Sequence, residues 1–167
     1  MPDQHTLEET ERATSDRVGH LALNYPAAHA LSSLYRAANA ARAHLTRTAL
    51  RPHDLTWTGF LVLWLLWIWD RMETRRVAES VGISKATLTG VTSTLVRRGL
   101  VERLPSLQDR RLVELTLTPA GRELMVVLYP QFNGAEAQLV AAVPGEALAT
   151  MTTSLRQIVT TAEALED

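Results

Sequence analysis

The chain has 167 residues, of which 46% are hydrophobic, and its formal net charge is −1. That length suits one domain with a sizeable core and is short for two. The absence of cysteine excludes disulfides, thiol redox sensing and cysteine-based zinc sites, and it fits a reducing compartment. The N-terminal segment is polar and acidic and does not resemble a signal peptide, so we expect a cytoplasmic protein.

The first part of the chain predicts a tail followed by a long helix. Residues 1–25 are expected to form a mobile tail or an extra helix. Pro26 begins a predicted helix that ends near Leu50, because Pro52 excludes the helical conformation from the residue before it. Its apolar stripe has helical spacing and comprises Leu31, Leu34, Tyr35, Ala38, Ala41, Arg42 and Leu45.

Thr56 is predicted to cap a second helix, in which residues 60–69 are apolar on every side. Ten residues are too few to span a bilayer, which needs about 20, so we expect no membrane partner and a helix buried all round, at the centre of the fold or under a partner subunit. All four tryptophans lie on this helix. One interpretation is core packing. The other is that Trp57 and Trp64, one heptad apart, line an aromatic cavity.

A short helix and a turn are predicted next. Thr74 is placed to cap a helix at Arg75–Val81, in which Val77 and Ala78 begin the inward face. Gly82 follows, and glycine lets a helix end in the left-handed conformation without steric cost. This segment therefore predicts the first half of a helix-turn-helix.

Ser84 is predicted to cap the following helix. Its apolar residues recur every three to four positions, at Leu88, Val91, Leu95 and Val96. The other face carries mostly small or polar side chains, from Lys85, Ala86, Thr87, Thr89, Gly90, Thr92 and Ser93. A solvated helix normally carries long Glu and Lys side chains there, so this pattern indicates a helix that another molecule approaches closely.

The period then changes from helical to alternating. Residues 100–104 and 112–117 predict two strands of a hairpin, with Leu115 and Leu117 on one face. The turn between them uses Pro105, Ser106, Gln108 and Asp109. Thr118 is predicted to cap the next helix, with Pro119 at its first position. A helix-turn-helix followed by a hairpin is a winged DNA-binding module.

Two helices are predicted after the hairpin. The first extends from Thr118 to about Ala142, with a kink expected near Pro130. The last follows a break at residues 143–145 and carries a narrow apolar seam of Leu148, Met151, Leu155, Ile158, Ala162 and Leu165. Such a seam packs either against the core of its own chain or against a second subunit.

Charge is concentrated in the predicted DNA-binding segment. Residues 71–122 contain ten basic and five acidic side chains, a net of +5, which leaves −6 for the remainder. This asymmetry is typical of a phosphate-binding surface, and the alternative is a solvated arginine-rich face.

These motifs resemble the MarR family of winged helix-turn-helix transcription regulators. The resemblance rests on Gly99–Arg103, Asp109–Arg111 and Leu117–Gly121, which follow one another in the family's order, and it covers about 50 residues closely. It implies a mainly α fold with a two- to three-stranded wing and N- and C-terminal dimerisation helices. In this division, 71–121 is the DNA-binding region, and 26–70 with 122–167 is the helical dimerisation and effector region.

The resemblance also implies a function. We expect a sequence-specific homodimeric repressor that binds a palindromic operator in double-stranded DNA and is released by a small ligand, with aromatic or phenolic compounds as one class of effector. The effector pocket is expected at Tyr35, His44, Trp57 and Trp64, and the seam of the last helix at the dimer interface. We expect no cofactor and no metal.

The expected DNA-binding residues are Thr74, Arg75, Arg76, Ser84, Lys85, Ala86, Thr87, Thr89, Gly90, Ser93, Arg97, Arg103, Asp109, Arg110 and Arg111. The Ser84 and Thr87 hydroxyls and the N-terminus of the helix that Ser84 caps suit phosphate, while Lys85, Thr89 and Ser93 suit base edges or phosphates. Flanking phosphates are expected to be neutralised by Arg75 or Arg76, Arg97 and Arg103. The family pattern assigns the wing arginine to the minor groove. Here that is Arg111, with Asp109 holding its guanidinium, although the neighbouring Arg110 can exchange roles with it.

Other classes of protein have less support. The chain lacks a glycine-rich phosphate loop, a nucleophile elbow and a His-Glu-x-x-His motif, so we expect no enzyme. Its five histidines share no ligand spacing. The remaining alternative is an architectural or protein-binding winged-helix protein without an effector.

Overall fold

A computed structural model describes residues 5–106, 109 and 111–166, so Gln108 and Arg110 of the predicted wing lie outside the described residues. The chain divides into two units, residues 1–44 and residues 45–167. Among the described residues, no helix is both long and apolar enough to cross a membrane.

The first unit is helical. Helix α1 spans Leu7–Val18, which matches the extra-helix alternative for the N-terminal segment. It begins with a capping box, since the Glu9 N–H donates to the Thr6 hydroxyl at 3.1 Å and the Thr6 N–H donates to the Glu9 carboxylate at 2.8 Å. Helix α2 spans Tyr25–Leu45 and begins where Pro26 predicts. Much of its predicted apolar stripe is exposed, with Tyr35 64% exposed.

The predicted end of the long helix near Leu50 takes a different form. Regular α-helix stops at Leu45, a π-helical turn follows at Thr46–Leu50, and a 3-10 turn at Arg51–His53 contains Pro52. Asp54 then adopts a left-handed conformation, with φ of 52°. The long helix therefore ends through a π-helical turn and a 3-10 turn rather than by a single break.

Helix α3, Trp57–Trp69, is the centre of the second unit. The Thr56 hydroxyl caps it by accepting the Gly59 N–H at 3.0 Å, as predicted. The buried residues are Gly59, Phe60, Val62, Leu63, Leu65 and Leu66. Within the single chain the last turn of α3 is not covered, since Ile68 is 51% and Trp69 66% exposed, and its burial under a partner subunit stays a prediction.

A three-stranded antiparallel sheet and two helices form the winged module. Helices α4 and α5 span Thr74–Val81 and Lys85–Arg97. The strands are β1 at Arg71–Glu73, β2 at Val101–Pro105 and β3 at Val113–Leu117. The order is β1-β3-β2, so β3 is central, and its Leu115 and Leu117 are buried as predicted.

The short strand β1 explains one wrong prediction. Thr74 does not cap α4. It is the first helical residue, and Glu73 occupies the cap position without a side-chain cap hydrogen bond. Glu73 also pairs with Glu114 of β3, so the chain passes directly from sheet into helix. The other helix ends are confirmed, with Gly82 left-handed at φ of 70° and the Ser84 hydroxyl accepting the Thr87 N–H at 3.1 Å.

Helices α6 and α7 complete the second unit at Pro119–Val140 and Gly145–Glu166. The Thr118 hydroxyl caps α6 by accepting the Gly121 N–H at 3.1 Å. Pro130 lies inside α6, which is helical on both sides of it, and the kink stays a prediction. The largest fully buried side chains in this unit come from α3, α6, β3 and the π-helical turn: Leu50, Leu63, Leu66, Leu115, Met125 and Leu128.

Gly121 allows α6 to touch the start of β2. A β-carbon at this position would stand 2.1 Å from the Leu100 carbonyl oxygen, and that oxygen belongs to the backbone. Gly121→Ala should therefore lower the free energy of unfolding by about 1–3 kcal/mol, measured by urea denaturation.

Gly134 on the same helix is the matched control. No atom lies within 4 Å of its β-carbon position, so Gly134→Ala should raise the free energy of unfolding by up to about 1 kcal/mol through helix propensity. Equal stability of the two variants would contradict the packing described for Gly121.

Candidate nucleic-acid interface

A groove of about 560 Å³ lies between α5, the first turn of α4 and the wing. Its lining residues are Thr74, Arg75, Lys85, Leu88, Thr89, Thr92, Arg103, Arg111, Leu112 and Val113. Four of these are basic and none is acidic. Six predicted DNA-binding residues meet here, namely Thr74, Arg75, Lys85, Thr89, Arg103 and Arg111.

The N-terminus of α5 is preorganised by its own hydroxyls. The Ser84 and Thr87 hydroxyls lie 2.8 Å apart and share a hydrogen bond. The Thr89 hydroxyl donates to the Lys85 carbonyl at 2.9 Å, and the Ser93 hydroxyl donates to the Thr89 carbonyl at 2.7 Å. Each of these last two oxygens keeps its acceptor lone pairs, so they suit donors on an incoming molecule better than acceptors.

Thr92 is not part of the exposed face on which the sequence placed it. It is buried, and its hydroxyl donates to the Leu88 carbonyl at 2.8 Å while accepting from the Arg103 guanidinium at 2.6 Å. Arg103 projects from β2, so it covers Thr92 and links the wing to α5. Phosphate binding was the predicted role of Arg103, and part of its hydrogen-bonding capacity is used for this internal link.

The remaining predicted residues on the helices lie outside the groove lining but are exposed: Arg76, Ser84, Ala86, Thr87, Gly90, Ser93 and Arg97. Gly90 borders a second cleft, of about 260 Å³, which lies between α5 and the residues that precede α3. No atom lies within 4 Å of its β-carbon position, so the space beside it is open.

Asp109 accepts two hydrogen bonds from the residues that lead into β3. The Asp109 carboxylate accepts the Arg111 main-chain N–H at 2.9 Å, and the Asp109 carbonyl accepts the Leu112 N–H at 2.9 Å. This is the local turn that aspartate favours. Asp109 therefore forms the turn, and its predicted contact with the Arg111 guanidinium stays a prediction. The Arg111 side chain lines the groove.

Several basic residues of the segment serve the fold. Arg98 donates to the Asp54 and His53 carbonyls at 2.7 and 2.8 Å. Arg122 pairs with Asp70. Arg75 pairs with Glu79 one helical turn later at 2.7 Å, and this hydrogen bond raises the pKa of Arg75. The positive charge of residues 71–122 is thus divided between holding the module together and lining its groove.

The MarR family model matches residues 55–113, which include α3, the helix-turn-helix and strand β2 and end at the first residue of β3. A relative from Bacillus subtilis strain 168, the uncharacterized HTH-type transcriptional regulator YwaE, is 34% identical over 164 residues, which cover 95% of this chain and 96% of YwaE. This chain belongs to the MarR family.

Solved structures agree with that assignment. Transcriptional regulator PA4135 superposes with a TM-score of 0.70 at 26% identity, covering 78% of this chain and 95% of that one. Bordetella bronchiseptica BpsR, whose DNA binding is regulated by 6-hydroxynicotinic acid, gives 0.69 at 26% identity, with coverage of 77% and 96%. The predicted mainly α fold with a small β-wing is confirmed, and the chain is a winged helix-turn-helix DNA-binding protein of transcription regulation.

The residues expected to bind an effector in this MarR-family chain lie on two helices. Trp57 and Trp64 on α3 line a cleft with Tyr129 and Phe132 of α6. Tyr35 and His44 lie on α2, and their part in a cavity stays a prediction. Among the described residues there is no group of three or more His, Asp or Glu side chains that could hold a metal ion.

The sequence did not predict the contacts among Arg71, Glu114, Pro105 and Ser106, which form the root of the wing in this MarR-family chain. Arg71 of β1 pairs with Glu114 of β3 and donates to the Pro105 carbonyl at 2.7 Å, so one side chain ties all three strands. Ser106 is buried and hydrogen-bonds the Glu114 carboxylate. That hydrogen bond, followed by the Arg71 contact, lowers the pKa of Glu114. A three-residue strand has too short a period to be read from sequence.

The lowered pKa of Glu114 makes the wing root sensitive to acid. A depressed carboxyl pKa in the folded protein contributes stability that is present above the ordinary glutamate pKa of about 4.3 and is lost as pH falls through the folded value. The free energy of unfolding should therefore fall less steeply in acid for Glu114→Gln than for the wild type.

Urea denaturation at a series of pH values checks this expectation, with Glu102→Gln as a control, because Glu102 is exposed on β2. If the free energy of unfolding of the wild type and of Glu114→Gln changed with pH in the same way, the expectation would be contradicted.

Proposed function

We propose that this MarR-family protein is a homodimeric, sequence-specific repressor that binds a palindromic operator in duplex DNA and is released by a small ligand. The observation that carries the proposal is the groove between α5 and the wing. It brings Lys85, Thr89 and Arg111 together among lining residues that include no carboxylate. Such a basic concavity beside an exposed helix is suited to the backbone and base edges of a duplex.

Helix α5 has the properties of a recognition helix. The major groove is about 12 Å wide and admits one α-helix, and the exposed residues of α5 between Ala86 and Ser93 all have short side chains. The helix dipole and the free N–H groups of its first turn favour a phosphate at Ser84. In this arrangement Lys85 reaches base edges or phosphates, and the Thr89 and Ser93 hydroxyls accept hydrogen bonds from donors on base edges.

The wing supplies the flanking contact. Arg111 lines the groove from the wing side, and a narrow A·T-rich minor groove attracts an arginine electrostatically. Arg110, outside the described residues, is the alternative for this position.

The solvent exposure of apolar residues on α7 supports a dimer. Most of the apolar seam of α7 is exposed, with Met151 42%, Ile158 40% and Leu165 82% exposed, while Leu148 and Leu155 are partly buried. An exposed seam with this spacing suits a partner helix. A two-fold pair of α5 helices would read two half-sites about 34–36 Å apart, which compensates for the few base contacts of one short helix.

Regulation would use the cleft between α3 and α6. A ligand there changes DNA binding only by its differential affinity for the DNA-bound and free conformations. The similarity to BpsR, a protein regulated by a small aromatic compound, supports this part of the proposal.

Arg111→Ala should weaken binding to an operator duplex. It should also reduce the magnitude of the slope of log affinity against log salt by roughly one, which is the contribution of one phosphate contact. Fluorescence anisotropy titrations at several salt concentrations measure both quantities. Arg51→Ala is the control, since Arg51 is exposed but does not line the groove, and it should keep the wild-type slope. An unchanged slope for Arg111→Ala would exclude the wing contact.

Ile158→Glu should separate the subunits, because it places a charge in the apolar seam of α7. Light scattering after size exclusion should then give the mass of one chain. Thr160→Glu adds the same charge on the opposite side of α7 and should remain dimeric. If both variants have the same mass as the wild type, the seam is not the interface.

A further inference from the structure

The cleft between α3 and α6 has a composition that restricts its ligand. It measures about 240 Å³ and is lined by Trp57, Phe60, Leu61, Trp64, Tyr129, Phe132 and Glu136. Five of the seven side chains are aromatic and one is a carboxylate. None of these lining residues is basic.

The aromatic walls are held in place by one another. Phe60 and Phe132 stack with ring centroids 4.2 Å apart, and Trp57 lies 6.1 Å from Phe132 and 6.4 Å from Phe60. Trp67, which does not line the cleft, packs against Tyr129 with ring centroids 5.3 Å apart. The rings therefore form a largely preformed surface, which reduces the ordering that a ligand must impose.

Glu136 supplies a charge that the cleft leaves available. It is half-buried, and Asn133 donates to one of its carboxylate oxygens at 3.1 Å. Among the described residues no hydrogen bond or ion pair engages the other oxygen. A carboxylate with a free oxygen beside aromatic faces is an acceptor for a positively charged group.

The two kinds of lining group favour the same sign of charge. The faces of aromatic rings are negative and attract cations, and tryptophan does so most strongly. A carboxylate or phenolate ligand would face repulsion from Glu136 and from the ring faces, with no basic lining residue to compensate. The chain outside residues 71–122 has a net charge of −6, which concentrates cations near this body rather than anions.

We propose that this cleft binds a small organic monocation, a quaternary or protonated amine that carries a compact apolar or aromatic group. This proposal deepens the proposed function, since it names the ligand class of the regulatory cleft. It rests on that function only for the expectation that ligand binding releases the DNA. The ammonium contacts Glu136 and the Trp64 ring, and the apolar group packs among Trp57, Phe60 and Phe132.

The test uses the full chain without DNA and benzyltrimethylammonium as the probe. Isothermal titration calorimetry should show one saturable site per chain for this cation. Phenylacetate and benzyl alcohol have the same ring with a negative and a neutral group, and both should bind at least tenfold more weakly. Equal or tighter binding of phenylacetate overturns the proposal, and so does the absence of benzyltrimethylammonium binding at millimolar concentration.

Variants assign the binding to the cleft. Glu136→Gln and Trp64→Leu should each weaken benzyltrimethylammonium roughly tenfold, which is the size of effect expected from loss of one charged or cation–π contact. Glu123→Gln removes the same charge from an exposed position near the start of α6 and should bind as the wild type does. Far-ultraviolet circular dichroism and the unfolding midpoint establish that each variant is folded. Wild-type affinity in folded Glu136→Gln overturns the proposal.

A separate titration distinguishes this inference from the proposed function. Operator-bound protein is titrated with benzyltrimethylammonium while anisotropy reports the DNA. Binding without release upholds the ligand class and contradicts the regulatory role of the cleft. Release by phenylacetate, together with calorimetric binding of phenylacetate at least as tight as that of the cation, upholds regulation and overturns the ligand class.

Discussion

The structure depends on one close contact between backbones. The N-terminal turn of α6 packs against residues 99–100, where Gly121 leaves no room for a side chain beside the Leu100 carbonyl. That carbonyl accepts the Thr118 N–H at 3.1 Å, and the Thr118 hydroxyl donates to the Gly99 carbonyl at 2.6 Å. The end of α5, the start of the wing and the start of α6 therefore meet at one joint. In the proposed regulation, a ligand held against α6 would act through this contact on the elements that would contact DNA.

Charge in the winged module has two uses. Arg71, Arg98 and Arg122 bind carbonyls or carboxylates of neighbouring elements and hold the sheet, α5 and α6 in place. Lys85 and Arg111 line the groove, and none of the hydrogen bonds and ion pairs within the described residues engages their side-chain nitrogens. Arg103 belongs to both groups because it links β2 to α5 from inside the groove. The net charge of the segment therefore overstates the number of cations that are available to phosphates.

Sequence patterns were sufficient wherever a local rule decides the structure. Gly82, Ser84, Thr56 and Thr118 are at the helix ends that their chemistry predicts, and alternation located the hairpin. Sequence patterns were insufficient where a residue far away in the chain determines the structure of a position. Thr74 lost its capping role to a three-residue strand that exists only through pairing with β3, and Thr92 is buried only because Arg103 reaches it from β2. The partners of Arg71 and Arg122 are 43 and 52 positions away, beyond any local pattern.

The central claim is that two copies of the α5–wing surface read one duplex. Selection of bound sequences from a random pool of duplex DNA tests it most directly. The account predicts an inverted repeat whose half-site centres are about 10–10.5 base pairs, one helical turn, apart, with an A·T preference at the flanks where the wings lie. Recovery of unrelated sequences without a repeat, or of no bound duplex at low ionic strength, would contradict it.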